Sequence, residues 1–318
     1  MLFNKPNFMR LLQVIVLVVF VSWMSSCRKD EPLRPVPPRD FAVQYETDID
    51  TIEKYLKAHY MQVDAQGNVL MFAITDPNNQ VSVWDQQDYP LQFITVKNDN
   101  RLSNFVDGRV NDPVDYKLYY ILLNQGGGDR PSVVDDVMTS YRGWRLDNTL
   151  FDSSDSPVWF EQQAIVSGFR QIVSRLNAAT SLTENGDGTV NFENFGNVVV
   201  FIPSGIGYFN AAPASVGAYN PIVFQIKLKR VFYRDHDNDG ILSKNEIYGD
   251  QTNVWLQDSD GDNIPDFLDT DDDGDRTLTK VEITNDAGQI IPFDLIPDCN
   301  GNTANPTRLK KHLDPTCQ

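Results

Sequence analysis

The chain has 318 residues, 41% hydrophobic and 11% aromatic, which fits one or two domains with real cores and excludes a disordered chain. Its 44 acidic residues against 27 basic ones give a net charge of −17, which excludes the basic surface that a nucleic-acid partner requires. The acid is uneven: residues 235–275 hold fourteen Asp or Glu and one Lys, Lys244, so this stretch must be solvated, screened or neutralised by bound cations.

In chain order, Lys5 and Arg10 precede an apolar run, Leu11–Phe20, interrupted only by Gln13, and Met24-Ser25-Ser26-Cys27 follows. The pattern predicts a secretory signal over residues 1–26, because the run is short for a membrane span. Small residues before Cys27 resemble a relaxed lipoprotein box, which implies lipidation of Cys27 and a membrane tether. The charged Arg28-Lys29-Asp30-Glu31 resembles a sorting signal for the cell surface. Localisation is therefore expected at the outer membrane, periplasmic or surface-exposed. Pro32, Pro35, Pro37 and Pro38 make residues 27–40 a stiff spacer.

Residues 41–113 read as an N-terminal extension. A helix capped by Thr47 is predicted to run to about Tyr60, from the recurrence of Ile49, Ile52, Leu56 and His59–Tyr60. Short strands broken by Asp76–Asn79 and Asp88–Pro90 are expected over 70–96. The helix is either a packing extension of the main domain or a dimerisation element.

Residues 114–231 alternate apolar and polar over short runs. Strands are predicted at Tyr116–Leu123, Val133–Tyr141, Asn197–Ile202 and Pro221–Val231, with one amphipathic helix over Ile165–Leu176. The expected fold class is α+β, an antiparallel sheet around one short helix. Of three histidines, His59, His236 and His312, none stands in a triad or zinc arrangement, and no phosphate-cradling glycine loop occurs.

Five blocks in this domain carry a resemblance. They are Tyr141-Arg142-Gly143-Trp144; Asn148–Ser154; Phe160 with Ile165–Phe169; Phe201–Tyr208; and Pro221–Leu228. Their order resembles the FKBP-type peptidyl-prolyl cis–trans isomerases. The resemblance implies an FKBP-like fold and an enzyme that isomerises X–Pro bonds in exported polypeptides. It implies a pocket walled by Tyr141, Phe151, Phe169 and Phe224. Substrate carbonyls would be held by the backbone N–H of Ile165 or Val166 and by the Tyr208 hydroxyl, with Asp152 at the edge tied to Tyr141 and Val216 on a rim loop. The chain departs from the pattern at Phe169, where the family has tryptophan, at Phe209, where glycine is common, and in an insertion at Thr183–Asn194. A non-catalytic scaffold is the competing reading, and a calcium-dependent surface-binding protein is a third.

Residues 232–318 read as a calcium-binding tail. Asp235–Glu246 fits a twelve-residue EF-hand loop at every position, with Asp235, Asp237, Asp239, the Ile241 carbonyl and Glu246 as ligands. Asp258, Asp260, Asp262, Asp266 and Asp269 repeat the spacing. A third start at Asp269 adds Asp271 and Asp273, but its twelfth position is Lys280, and Glu282 falls two residues late. The run resembles thrombospondin type 3 calcium repeats, so calcium is the one expected cofactor, in a structural role. Cys299 and Cys317, in one exported segment and left over once Cys27 is lipidated, are expected to form a disulfide.

Overall fold

The computed structural model describes residues 37–248 and 253–317. The signal, Cys27 and the tether up to residue 36 lie outside the described residues. Helix α1 spans Phe41–Ala58. It starts earlier than expected because Asp40, not Thr47, is the cap: its carboxylate accepts from the N–H groups of Ala42 and Val43 at 2.9 and 3.0 Å. The Thr47 hydroxyl instead donates back to the Val43 carbonyl. The helix ends at Ala58, and His59 and Tyr60 open strand β1, His59–Val63, which pairs antiparallel with β2, Val69–Ala73.

The main sheet has six antiparallel strands in the order β3-β4-β9-β10-β5-β6. These are β3 Leu91–Lys97, β4 Asp115–Asn124, β5 Asp136–Arg145, β6 Leu150–Glu161, β9 Gly196–Ile202 and β10 Ile222–Phe232. Its edge strand β3 comes from the residues read as an N-terminal extension. The Asn-rich insertion forms a hairpin of its own, β7 Ser181–Glu184 with β8 Val190–Glu193. Helix α2, Ser167–Val173, is shorter than the apolar periodicity suggests.

The central strands are buried on both faces, and successive side chains enter different cores. Val198, Val200, Ile202, Ile222, Phe224, Ile226 and Leu228 pack with Phe169, Ile172 and Val173 of α2. Val199, Phe201 and Val223 pack with Ile52, Tyr55 and Leu56 of α1. The sheet therefore lies between two helices, not around one. Strand β5 begins three residues later than expected. Val133 and Val134 before it meet Val254, Trp255 and Phe267, which anchors the acidic tail to the domain.

Among its described residues the tail is built of tight turns, single 3-10 turns and one short α-helix, α3, Thr279–Glu282. Ile241, Ile283 and Ile296 form its small core. Cys299 and Cys317 are disulfide-bonded, with Cα atoms 5.3 Å apart. Among the described residues no helix is long and apolar enough to cross a membrane.

Candidate functional site

Strands β5 and β6 set the first site. Their pairing shifts register between Thr139 and Tyr141 and again between Gly143 and Trp144, so β6 bulges and re-aims its side chains. Phe151 from β6, Phe224 from β10 and Phe169 from α2 then meet. Phe224 lies edge-on to Phe151, with centroids 5.4 Å apart, and to Phe169 at 5.3 Å. Tyr208 closes on Phe151 at 6.5 Å. Phe160, not assigned to the pocket from the sequence, stands edge-on to both Tyr141 and Phe169. Gly143 is required here. A Cβ on it would sit 2.6 Å from Phe224 and 2.7 Å from Phe151.

The Tyr141 hydroxyl donates to the Asp152 carboxylate at 2.9 Å, the pairing expected from the sequence. Burial first, and then that carboxylate, push the Tyr141 hydroxyl up to about 12, so it stays a donor. The Ile165 N–H is occupied by the Gln162 carbonyl at 3.3 Å. Val166 caps α2 in an extended conformation, and among the described residues its N–H has no acceptor. Of these two backbone donors, Val166 is the one without a partner among the described residues.

Arg170 holds this segment. Buried on α2, it donates to the carbonyls of Gln162 and Ile165 at 2.9 and 3.0 Å and to both Asp99 oxygens at 2.6 and 3.1 Å. Ile165, Val166 and Tyr208 border a cavity of about 450 Å3, further lined by Arg101, Arg170 and Trp255.

Val216, assigned to a rim, is fully buried in the core and offers no surface to a ligand. Phe209 adopts a left-handed backbone, φ 46°, which accounts for glycine being common there. Its ring stacks on Phe41 at 4.3 Å and ties α1 to this loop. Asp48 of α1 adds a second tie, accepting from the Ser204 N–H at 2.7 Å and from Gln44 at 2.6 Å.

The second site lies in the tail, where three loops share one construction. The carboxylates of Asp235, Asp258 and Asp271 accept from the N–H groups of Gly240, Asn263 and Arg276, five residues on. Those of Asp237, Asp260 and Asp273 accept two residues on, as do those of Asp239, Asp262 and Asp275. The third loop thus starts at Asp271, not Asp269, and on that register Glu282 stands at position twelve. The sequence reading set the loop two residues early because Asp269, the twelfth residue of the second loop, also looks like a first position.

Three groups of carboxylates could each hold a cation: Asp237, Asp239, Glu246 and Asp272; Asp258, Asp260 and Asp262; and Asp271, Asp273 and Asp275. Asp272 and Asp275 were not assigned from the sequence. Asp266 and Asp269, which were, stand outside these groups. Asp266 accepts from the Ser259 N–H and hydroxyl, both at 2.7 Å, and Asp269 from the Asp271 N–H at 3.0 Å. Asp235 also stands outside, although one of its oxygens is buried with no partner among the described residues. Burial first, and then negative neighbours, push Glu246 up to about 11 and Asp272 up to about 10.

Residues 236–306 match the family described as BamM C-terminal. The chain is 30% identical over 118 residues to a probable FKBP-type peptidyl-prolyl cis–trans isomerase, FkpA, from Neisseria meningitidis serogroup B, covering 36% of this chain and 38% of that protein. It is 24% identical over 115 residues to the peptidyl-prolyl cis–trans isomerase Mip of Coxiella burnetii, covering 35% of this chain and 43% of that protein. The chain thus spans about two-fifths of the length of these curated relatives. Among solved structures, a peptidyl-prolyl cis–trans isomerase from Pseudomonas syringae pv. tomato aligns with a TM-score of 0.30 and 22% identity, over 41% of this chain and 79% of that one. FkpA from Escherichia coli aligns with a TM-score of 0.33 and 16% identity, over 72% of this chain and 73% of that one. Over about a third of its length, this chain is similar to FKBP-type peptidyl-prolyl cis–trans isomerases.

Proposed function

We propose that residues 114–231 form an FKBP-like domain that isomerises X–Pro bonds in exported polypeptides, tethered to the outer membrane through Cys27, with calcium stabilising the acidic tail. The observation that carries the enzymatic reading is the convergence of Tyr141, Phe151, Phe160, Phe169, Tyr208 and Phe224 beside the Tyr141–Asp152 hydrogen bond.

The reaction needs no nucleophile, metal or redox group. Its barrier of about 18–20 kcal/mol comes from amide resonance, which is lost in the twisted transition state. An aromatic slot takes the proline ring out of water. The free Val166 N–H and the Tyr208 hydroxyl hold flanking carbonyls, so the chain can twist against a fixed frame. Asp152 orients Tyr141 and places negative charge at the slot edge.

Calcium suits the tail because the candidate ligands are all oxygen and, among the described residues, several buried carboxylate oxygens lack a partner, among them both of Glu246. Asp237, Asp239 and Glu246 would hold one ion, and Asp258, Asp260 and Asp262 another.

The test is a prolyl-isomerisation assay on the chain from Arg39 onward, with calcium and with chelator. Phe151→Ala should lower turnover about tenfold or more while the protein stays folded, because this ring is half-buried at the slot. Asp152→Ala should cost less, because it acts on a reaction without net charge. A folded wild-type chain that accelerates no proline peptide would overturn the enzyme reading. A scaffold role would then take its place, which the near-complete burial of Phe169 and Phe224 in the core would favour.

A further inference from the structure

We infer that one divalent cation is clasped between the first and third tail loops, with Asp272 as a ligand alongside Asp237, Asp239 and Glu246. The inference rests on the calcium reading above and goes beyond it, because Asp272 stands at position two of its own loop, where an EF-hand-like loop supplies no ligand.

Two observations carry it. The first is proximity: one carboxylate oxygen from each of Asp237, Asp239, Glu246 and Asp272 falls within 4.8 Å of the others. The second is the state of two of these side chains. Glu246 is 0% exposed and Asp272 is 1% exposed, and among the described residues all four of their carboxylate oxygens lack a hydrogen-bond partner. A buried carboxylate is ordinarily hydrogen-bonded or paired, since burying an unpaired charge is costly. Asp239, 2% exposed, also has one oxygen unpartnered, as does Asp237.

Position two normally does something else in this chain. In the second loop it is Ser259, whose backbone N–H and hydroxyl both bond to Asp266 within the same loop. In the first loop it is His236, which bonds to Ser243 of the same loop. The Asp272 N–H keeps that local bond, donating to Thr279 at 3.1 Å, but its carboxylate leaves its own loop and joins the first. A local bond thus fixes the backbone while the charged group reaches across.

Oxygen-only ligands of this charge suit a hard divalent cation, and calcium tolerates the irregular geometry that magnesium does not. The ion would tie Glu246 to Asp272 and so close the intervening chain, which carries Trp255 and Phe267, against Val134 of the sheet domain. The cation would thereby fasten the tail to the domain, not merely order a loop.

The test uses the full chain, with calcium as the probe and Asp272→Asn as the variant. In chelator, the variant removes an uncompensated negative charge, so its melting temperature should rise above wild type. In millimolar calcium it removes a ligand, so its melting temperature should fall below wild type. One class of calcium site should weaken at least tenfold, and Glu246→Gln should weaken the same class without adding to the effect of Asp272→Asn. A purely structural Asp272 would shift stability in the same direction under both conditions, and that result would overturn the clasp. If wild type takes up calcium and Asp272→Asn binds it unchanged, the clasp alone fails. If wild type takes up none, the wider calcium reading fails with it. Should Asp272→Asn not fold in calcium, Asp272→Glu, which keeps the charge, should restore both folding and uptake; failure to do so counts against the ligand role.

Discussion

Arg170 gives the sharpest prediction about how this fold builds its site. Arg170 is 4% exposed, and its guanidinium meets both Asp99 oxygens and the carbonyls of Gln162 and Ile165. Arg170→Met keeps most of the side-chain volume but leaves the nearly buried Asp99 carboxylate without its partner and strands the Ile165 carbonyl, whereas the Gln162 carbonyl keeps the Ile165 N–H. Removing one partner of a buried ion pair costs about 3–5 kcal/mol. The stranded Ile165 carbonyl adds about 1 kcal/mol where water cannot reach it. For a unit of this size the loss corresponds to a drop in melting temperature of roughly 10 °C, measured by scanning calorimetry on the chain from Arg39 in calcium. The same change frees the Gln162–Val166 segment, so KM for a proline peptide should rise more than kcat falls. Combining it with Asp99→Leu removes the orphan charge and should recover most of the stability, because apolar replacements of both partners are often near neutral. A cost below about 1 kcal/mol for Arg170→Met, or a double variant as unstable as the sum of the two single ones, would refute the reasoning.

Gly143→Ala should force Phe151 and Phe224 apart, since the new Cβ lies within 2.7 Å of both rings; overpacking of about 1–3 kcal/mol and lowered turnover are expected, read by thermal melts and the isomerisation assay. Lys229 lines a cavity of about 520 Å3 beside Tyr141, and burial pulls its amine down to about 7. The unfolded chain holds that proton up to its ordinary value, so wild-type stability should rise with pH from about 7 towards 10 relative to Lys229→Met, as followed by urea denaturation; parallel curves for the two proteins would contradict it.

Much of this was legible in the residues. The unbroken apolar runs Val198–Ile202 and Ile222–Phe224 mark central strands, because a strand whose successive side chains are all apolar must bury both faces. The spacing of the tail acids marks loops closed by their own carboxylates, and the Tyr141–Asp152 pairing followed from the motif. These are local properties, set by side-chain period and by turns that close within a dozen residues.

What the tertiary structure alone decided is long-range. Nothing near Asp40 in sequence announces that α1 covers the opposite face of the sheet; that depends on Ile52, Tyr55 and Leu56 finding Phe201 and Val223, well over a hundred residues away. The free N–H of Val166 depends on Gln162 having taken its neighbour's, and the hold on that segment depends on Asp99 meeting Arg170, 71 residues on. Asp272 reads as one more acid in a run until folding aims it at Glu246. Two-residue and twelve-residue periods are written along the chain, whereas the partner of a buried charge is fixed only when distant elements pack together.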